Sequence, residues 1–292
     1  MTGTLSDTHT SLSEETVRVI FPAPVRTFEK RAARWRFLAP DNPIGPYLEA
    51  VARLAEAQVA ASQASPMWDG QLNMPELPLN VHDSCYEGAW QKALGIIVSE
   101  MQLTPLPEPS QDALSRLSAA DAAGLESLAH AVLNGDQKLI DLAASPFIAA
   151  ALQVYWTGLA FRIHVLLTGQ SAYSCPVCAS PPVAGVVLGG SKLRYLCCSL
   201  CATNWYVPRL ICTNCGSTAG LSYFTIEGDT NGTKAEACIK CNTYLKLFYL
   251  ESNPEAEALA DDLATLPLDL LMADRGYSRS GVNLFLLQEQ PR

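Results

Sequence analysis

Four C-x-x-C pairs within residues 175–241 constrain the fold of this chain more than any other sequence feature. In a C-x-x-C turn, two thiolates converge on one ion while nearby backbone N–H groups point at the sulfurs. Two such turns surround an ion with a tetrahedron of sulfurs, so four turns predict two metal sites. The pairs contain eight of the ten cysteines: Cys175 and Cys178, Cys198 and Cys201, Cys212 and Cys215, and Cys238 and Cys241.

The intervals between the pairs indicate which turns share an ion. The 19 residues between Cys178 and Cys198, and the 22 between Cys215 and Cys238, each suit a β-hairpin that returns the second turn beside the first. The first and third turns also repeat one pattern after 37 residues, which favours sequential pairing. We therefore expect two tandem zinc-ribbon-like or rubredoxin-like modules. A cross-braced arrangement, joining the first pair to the third and the second to the fourth, stays open.

Two positions in or beside the C-x-x-C turns depart from the regular pattern. Glycine after the second cysteine relieves the backbone with a positive φ, and Gly216 fits that role better than Ala179 does. Cys197 precedes Cys198, but only Cys198 has the usual two-residue spacing to Cys201. We expect Cys198 to be the ligand, whereas Cys197 would need a distorted turn, or would be a redox-sensitive thiol if exposed.

Disulfides are the main alternative explanation for so many cysteines. Residues 1–15 are polar and lack the basic start and apolar run of a secretory signal, so we expect a cytoplasmic protein. Disulfides rarely persist in that reducing compartment. A thioredoxin-like motif would be one C-x-x-C at the start of a helix, whereas these pairs lie among strand-forming residues and glycines. Metal ligation is the better interpretation.

The remaining sequence predicts an α+β multidomain protein. Its 292 residues and 49% apolar content suffice for about two packed domains. We expect a flexible tail at 1–20, an all-α helical bundle of about six elements at 21–170, and modules at 171–208 and 209–250. A short C-terminal helical segment at 251–292 should pack on this body.

Periodicity and turn residues place the elements more closely. Helices are predicted after Pro46 and near 86–102, 110–117 and 121–133. Another helix should start at Pro254, be capped by Asn253 and end near Ala264, and a second should end near Gly276. Strand-like runs occupy 183–188, 193–196, 205–207, 221–226 and 245–250, and 282–287 is either a short strand or a segment packed on the bundle.

One apolar stretch raises the question of a membrane span. Residues 146–168 are largely apolar, but Gln153, Arg162 and His164 interrupt them. A helix buried in the core explains this pattern better than a transmembrane helix does. We expect no membrane insertion.

Charge and aromatic content bear on nucleic-acid binding. The chain has a net charge of −9, and residues 171–250 hold only six Lys or Arg against three Asp or Glu. Phosphate neutralisation normally needs several cations on one face, so a zinc-ribbon protein that binds nucleic acid is only a third choice. Aromatic residues there are expected to form module cores rather than stack on bases: Tyr195, Trp205, Tyr206, Tyr223, Phe224, Tyr244, Phe248 and Tyr249.

Nothing in the sequence predicts a catalytic site. A hydrolytic metal enzyme keeps an open coordination position and usually recruits His or carboxylate ligands. Here all eight predicted ligands are cysteines, and none of the four histidines lies near a C-x-x-C pair. His82 and Cys85 could be drawn as a base and a nucleophile, but a proline-rich loop explains them more simply. We expect a protein that is not an enzyme.

The sequence resembles the formate dehydrogenase accessory protein family, FdhE. The most specific part of the resemblance is the stretch Arg194-Tyr195-Leu196 leading to Cys198-Ser199-Leu200-Cys201. It continues through Trp205, Arg209, residues 212–216, 261–265 and 268–271, Gly276 and Tyr277, and, less specifically, 31–34 and 47–58. Ala179 departs from the glycine that is common after such a C-x-x-C.

The resemblance implies a cytoplasmic factor needed for active respiratory formate dehydrogenase. It implies contact with the catalytic subunit before export through the twin-arginine pathway. It also implies rubredoxin-like modules that hold iron, with the four C-x-x-C pairs as ligands. Zinc remains the alternative, because both metals accept tetrahedral sulfur. An alternative function is a one-electron redox protein that acts on the formate dehydrogenase active centre.

Overall fold

The computed structural model describes residues 17–64, 77–79, 81, 88–136, 141–163 and 173–286. Its described part has a helical region followed by a sheet and a C-terminal helical segment. The α+β fold class, with an N-terminal helical bundle ahead of two cysteine modules, is thereby confirmed. The helices of the N-terminal region are α1 (Pro24–Leu38), α2 (Gly45–Gln63), α3 (Ala89–Gln102), α4 (Glu108–Ala119), α5 (Ala122–Asn134) and α6 (Ser145–Ile163).

Helix α6 is the centre of the helical bundle. Most of its 19 residues are buried, including Gln153, and it packs against α2, α3 and α5. A helix that is apolar on all sides must be surrounded by other elements, which agrees with the core helix predicted for this stretch. Within the described residues, no helix combines the length and apolarity needed to cross a membrane.

The strands of both cysteine modules form one sheet rather than two separate ones. The strands are β1 (Val19–Ile20), β2 (Pro182–Val187), β3 (Arg194–Cys198), β4 (Asn204–Tyr206), β5 (Leu221–Phe224), β6 (Thr233–Cys238), β7 (Thr243–Tyr249) and β8 (Ser278–Arg279). Their order is β1-β4-β3-β2-β7-β6-β5, and β8 pairs with β7. We call residues 173–208 the first module and residues 209–250 the second module.

The modules join where β2 and β7 run parallel. Gly185 pairs with Leu247 at the middle of this contact. A Cβ atom at Gly185 would lie 2.7 Å from Leu247 Cδ2 and 3.3 Å from the Tyr195 carbonyl oxygen, so a larger residue here would force the Leu247 side chain to shift. The N-terminal segment also reaches the sheet, because Val19 pairs with Trp205 and places β1 at the edge. Residues 17–20 thus lie against the sheet, although the sequence assigned them to a tail.

The cysteines of the two modules differ in the core that surrounds them. All four cysteine ligand candidates of the first module lie in the main hydrophobic core together with the helical bundle. The second module contributes Leu245, Leu247 and Phe248 of β7 to that core, but its cysteines are not part of it. It also shares a separate small cluster with the C-terminal segment: Ala235, Ala237, Tyr244, Leu268 and Met272. The first cysteine cluster is therefore enclosed by the main core, whereas the second lies outside it.

The C-terminal segment contains α7 (Ala258–Ala264) and α8 (Leu266–Asp274). The predicted start at Pro254 is wrong, because Glu257 is the N-cap and its carboxylate accepts from Ala260 N at 2.7 Å. Beyond β8, the chain packs on the bundle, where the rings of Phe285 and Trp35 meet edge to face at 5.4 Å. Residues 282–287 were expected to form either a short strand or a segment packed on the bundle. The described residues 282–286 form no strand and pack on the bundle.

Candidate metal centres

The first cysteine cluster lies between two turns of the first module. Cys175 and Cys178 flank the turn before β2, and Cys198 and Cys201 flank the turn between β3 and β4. Sulfur–sulfur distances are 3.4 Å for Cys175 to Cys201 and 3.4 Å for Cys178 to Cys198. The four sulfurs all lie within 4.8 Å of one another, and all four residues are buried.

The second cluster repeats this arrangement in the second module. Cys212 and Cys215 flank the turn before β5, and Cys238 and Cys241 flank the turn between β6 and β7. The sulfurs of Cys212 and Cys241 are 3.6 Å apart, and those of Cys215 and Cys238 are 3.7 Å apart. Cys215 is exposed and Cys241 is half-buried. The sulfurs are grouped as sequential pairing predicts, so the cross-braced alternative is wrong.

Each turn is shaped in the same way around its sulfurs. The residue after the second cysteine has a positive φ in all four turns: Ala179 at 57°, Ala202 at 56°, Gly216 at 74° and Asn242 at 53°. Gly216 behaves as predicted, whereas Ala179 adopts this conformation in spite of its Cβ. In the first and third turns this residue donates its N–H to the carbonyl of the first cysteine, at 3.0 Å in each case.

Backbone N–H groups also point at the sulfurs. Cys198 Sγ accepts from Cys201 N at 3.4 Å, and Cys212 Sγ accepts from Asn214 N and Cys215 N at 3.4 and 3.5 Å. Such donors stabilise thiolate over thiol, because they place partial positive charge beside the sulfur. The turns are therefore built to hold sulfur in its anionic, metal-ligating form.

The pKa values of the thiols differ within the clusters, and they show why four thiolates together need a cation. Burial raises the pKa of Cys175, and burial raises that of Cys212 to about 12. Burial also opposes ionisation of Cys241, but hydrogen bonds with Thr243 and Asn214 outweigh it and lower its pKa to about 6. Four thiolates this close repel one another unless a cation lies among them, so binding of an ion would release protons.

The donor set fits a tetrahedral ion. A metal–sulfur distance of about 2.3 Å places the sulfurs of a tetrahedron about 3.8 Å apart. The shortest contacts in the clusters, from 3.4 to 3.7 Å, lie just inside that separation. Sulfur-only sets suit zinc and iron. Each cluster can thus hold one such ion.

Comparison with known proteins decides the family. Three family models match the chain in succession: "FdhE, N-terminal" over residues 16–165, "FdhE, central domain" over 174–209 and "FdhE, C-terminal domain" over 210–286. The chain belongs to the FdhE family. The resemblance drawn from the sequence, to the formate dehydrogenase accessory protein family FdhE, is thereby confirmed.

Individual FdhE proteins match over almost the whole chain. "Protein FdhE homolog" from Serratia proteamaculans is 40% identical over 291 residues, which cover 94% of this chain and 93% of that protein. "Protein FdhE" from Salmonella arizonae is 38% identical and covers 92% of this chain and 90% of that protein. The crystal structure of the FdhE protein from Pseudomonas aeruginosa superposes with a TM-score of 0.84 at 34% identity, covering 92% of this chain and 99% of that one.

Among the described residues, Cys197 is the one cysteine that does not join an FdhE cluster. Cys197 is buried outside the first cluster, and burial raises the pKa of its thiol. Its neighbour Cys198 is the member of that cluster, as the spacing predicted. The candidate pair of His82 and Cys85 lies outside the described residues.

Aromatic residues of the FdhE modules serve mainly as core. Tyr195, Trp205, Tyr244 and Phe248 are each 3% exposed or less. Tyr223 is the most exposed of the predicted set, and its hydroxyl donates to Glu236 at 2.7 Å. The preference for core over base-stacking therefore holds for these four buried rings.

Sequence reasoning missed the polar network that supports the first cluster. Gln153 Nε2 in α6 donates to the carbonyl of Ser199, inside the turn between Cys198 and Cys201, at 2.6 Å. Gln153 Oε1 accepts from Arg31, which in turn pairs with Glu257. The signal was present as a glutamine within an apolar helix, since a buried amide needs partners.

A second network ties the C-terminal segment to the second module. Lys246 and Arg279 alternate with Asp262 and Asp269, and every member except Arg279 is 5% exposed or less. Tyr244 Oη donates to Asp269 at 2.6 Å. Several charged residues that carried the family resemblance are therefore buried ion-pair partners between elements.

Proposed function

We propose that this chain is a non-enzymatic accessory factor for the maturation of respiratory formate dehydrogenase. It binds the catalytic subunit in the cytoplasm before that subunit is exported through the twin-arginine pathway. Membership of the FdhE family over nearly the whole chain supports formate dehydrogenase as the enzyme that this factor serves. The observation that carries the proposal is the pair of four-sulfur clusters, set in one sheet on a helical body.

In this role each cluster holds one metal ion, with iron favoured and zinc as the alternative. Cys175, Cys178, Cys198 and Cys201 are the ligands of the first ion, and Cys212, Cys215, Cys238 and Cys241 those of the second. A full set of four sulfurs leaves no coordination position for substrate. The bound ions stabilise the turns, and the folded modules help to form the surface that meets the partner.

A second candidate function is one-electron exchange with the formate dehydrogenase active centre. The exposure of Cys215 favours it, because a sulfur ligand at the surface gives an electron a short path to a docked partner. Iron in the second cluster would be required, since zinc has no accessible redox change. Loss or gain of one electron would convert ferrous to ferric iron without a change of ligands.

The first experiment measures metal and colour. Protein purified without oxygen is assayed for iron and zinc and then exposed to air. Two iron atoms per chain with visible ferric–thiolate absorption support iron and keep electron exchange open. Two zinc atoms without colour support structural sites and remove electron exchange. A folded chain that binds no metal would overturn the metal-binding part of the proposal.

The second experiment tests the partner. The chain is expressed in cells that lack their own FdhE, and respiratory formate dehydrogenase activity and capture of the catalytic subunit are measured together. We expect the wild-type chain to restore both. The matched variants are Cys198→Ser, which removes a cluster member, and Cys197→Ala, which removes the adjacent thiol outside it. Equal performance of the two variants, or capture of no catalytic subunit by the wild-type chain, would contradict the proposal.

A further inference from the structure

The two cysteine clusters have the same geometry but very different access to solvent. In the first cluster, all residues of both C-x-x-C turns are buried, across 175–178 and 198–201. In the second cluster, Asn214, Cys215 and Ile239 are exposed. The difference is one of surroundings, because the turns themselves have matching backbone hydrogen bonds.

The surroundings of the first cluster hold it closed. Its turns are fixed by the helical region, through Gln153 to the Ser199 carbonyl at 2.6 Å and through Leu79 N to the Val177 carbonyl at 2.8 Å. A cleft of about 290 Å³ beside α1 reaches Cys198, but that residue is only 3% exposed. A soluble ligand would therefore have to separate the module from the bundle before it reached an ion.

The second cluster has no comparable cover among the described residues. The second module contributes β7 residues to the main core, but none of its four cysteines belongs to the core that encloses the first cluster. Cys215 is open to attack from solvent without movement of any helix. Exposed Lys240, between Cys238 and Cys241, offsets part of the negative charge of a filled four-thiolate site and so lessens the repulsion of an anionic ligand.

We infer that the second cluster exchanges its ion readily with soluble thiolates and chelators, whereas the first releases its ion much more slowly. This inference rests on the proposed metal binding. Cys215 is the ligand that leaves first. In such an exchange, an incoming thiolate would replace the Cys215 sulfur as a ligand of the ion, and the released Cys215 thiolate would take up a proton from the solvent. Occupancy of the second cluster then follows the supply of thiophilic metal and thiol.

The test uses the full chain loaded with zinc. The chromophoric chelator 4-(2-pyridylazo)resorcinol is added in excess, and zinc release is followed by absorbance. Loss of outer-shell support typically weakens metal affinity by about 10- to 100-fold, so we expect one equivalent to leave at least about tenfold faster than the other. Release of both equivalents at one rate would overturn the inference and leave the proposed function standing. A chain that binds no zinc or iron would overturn both.

Cysteine labelling identifies which cluster releases its ion. N-ethylmaleimide is present during release, and peptides are analysed by mass spectrometry at successive times. We expect Cys215 and Cys241 to be labelled with the fast phase, and cysteines of the first cluster with the slow phase. Early labelling of Cys175 or Cys178 would overturn the inference. Because this assay uses the wild-type chain, it does not depend on whether a variant folds.

Matched variants complete the assignment. Cys215→Ser and Cys178→Ser change the same position of the turn in the two clusters. The fast equivalent should disappear in Cys215→Ser and the slow one in Cys178→Ser. Loss of the slow equivalent in Cys215→Ser would contradict the assignment.

Discussion

The Arg194 guanidinium in the first module donates a 2.5 Å hydrogen bond to the Glu236 carboxylate in the second. Both side chains are 3% exposed or less. Arg194 also donates to the carbonyls of Pro208 and Ile211, in the connection between the modules, at 2.6 and 3.0 Å. This one side chain therefore binds the second module and the segment that leads into it.

Replacing Glu236 by glutamine should destabilise the protein strongly. The change leaves the buried Arg194 charge without its partner, and removal of one partner of a buried ion pair costs about 3–5 kcal/mol. We expect that loss in the free energy of unfolding, measured by urea denaturation. Tyr223→Phe is the control, because it removes only the hydroxyl that donates to Glu236 and should cost about 1 kcal/mol. Equal losses of unfolding free energy in the two variants would show that the ion pair contributes no more to stability than the Tyr223 hydrogen bond does.

Asp262 gives the protein a specific dependence on acid. Burial opposes ionisation of Asp262, but the charges of Arg279 and Lys246 outweigh it, and its pKa is lower than the ordinary 3.8. The folded state therefore holds this proton less tightly than the unfolded state does. The stability that Asp262 contributes is present above its ordinary pKa and is lost as the pH falls through the depressed value.

Asp262→Asn isolates this contribution. At pH 7 the variant should be less stable by about 3–5 kcal/mol, because Arg279 and Lys246 lose one of their two carboxylate partners. The difference in unfolding free energy between wild type and the variant should become smaller below about pH 4. Urea unfolding of both proteins at each pH measures this difference. Any loss of metal in acid affects both proteins and therefore cancels. A difference that stays constant with pH would contradict the assignment to Asp262.

Local sequence patterns predicted the cysteine clusters well because each C-x-x-C turn is a local structure. The pairing of turns followed from hairpin-sized intervals, and Cys198 was distinguished from Cys197 by spacing alone. The helix α6 was predicted as a core helix because its apolar run is too often interrupted by polar residues for a span. These features depend on neighbours in sequence, which periodicity and spacing report directly.

The features that were missed depend on residues far apart in sequence. Strand β6 has the sequence Thr-Lys-Ala-Glu-Ala-Cys, which has little β-propensity, and pairing with β5 and β7 overrides that preference. Helix α7 begins after the N-cap Glu257 rather than at Pro254, and Glu257 and Asp261 at this start pair with Arg31 and Arg34 of α1, more than 220 residues away in the sequence. The parallel contact of β2 with β7, which merges two modules into one sheet, leaves no local pattern to find.

Cys198→Ser and Cys197→Ala should separate metal ligation from packing. Serine at 198 removes a thiolate from the first cluster, so we expect bound metal to fall from two ions to one per chain. Loss of a structural ion removes on the order of 10 kcal/mol of folding free energy from its module. The unfolding should spread into the helical bundle, because the first cluster lies in the shared core. Metal analysis and helical circular dichroism report the two effects.

Cys197→Ala is the matched control for that experiment. Cys197 is equally buried but lies outside the sulfur cluster, so its loss should cost only about 1 kcal/mol, through packing, and leave two ions bound. A variant at 197 that loses one ion, while the variant at 198 keeps both, would mean that the ligand assignment is reversed.

Gln153→Leu should weaken the hold of the helical bundle on the first cluster. The side chain of Gln153 is buried, donates to the Ser199 carbonyl and accepts from Arg31 and Gln58, so leucine leaves those groups unpaired. An unpaired buried polar group costs about 1–3 kcal/mol. We expect a lower melting temperature and faster release of the slowly exchanging zinc. Gln58→Leu is the control, because Gln58 bonds within the bundle at Ala150 and Gln153 and not to the cysteine turn. If both variants lower the melting temperature but neither changes the slow release, then burial alone closes the first cluster, and the contact with Ser199 has no part in it.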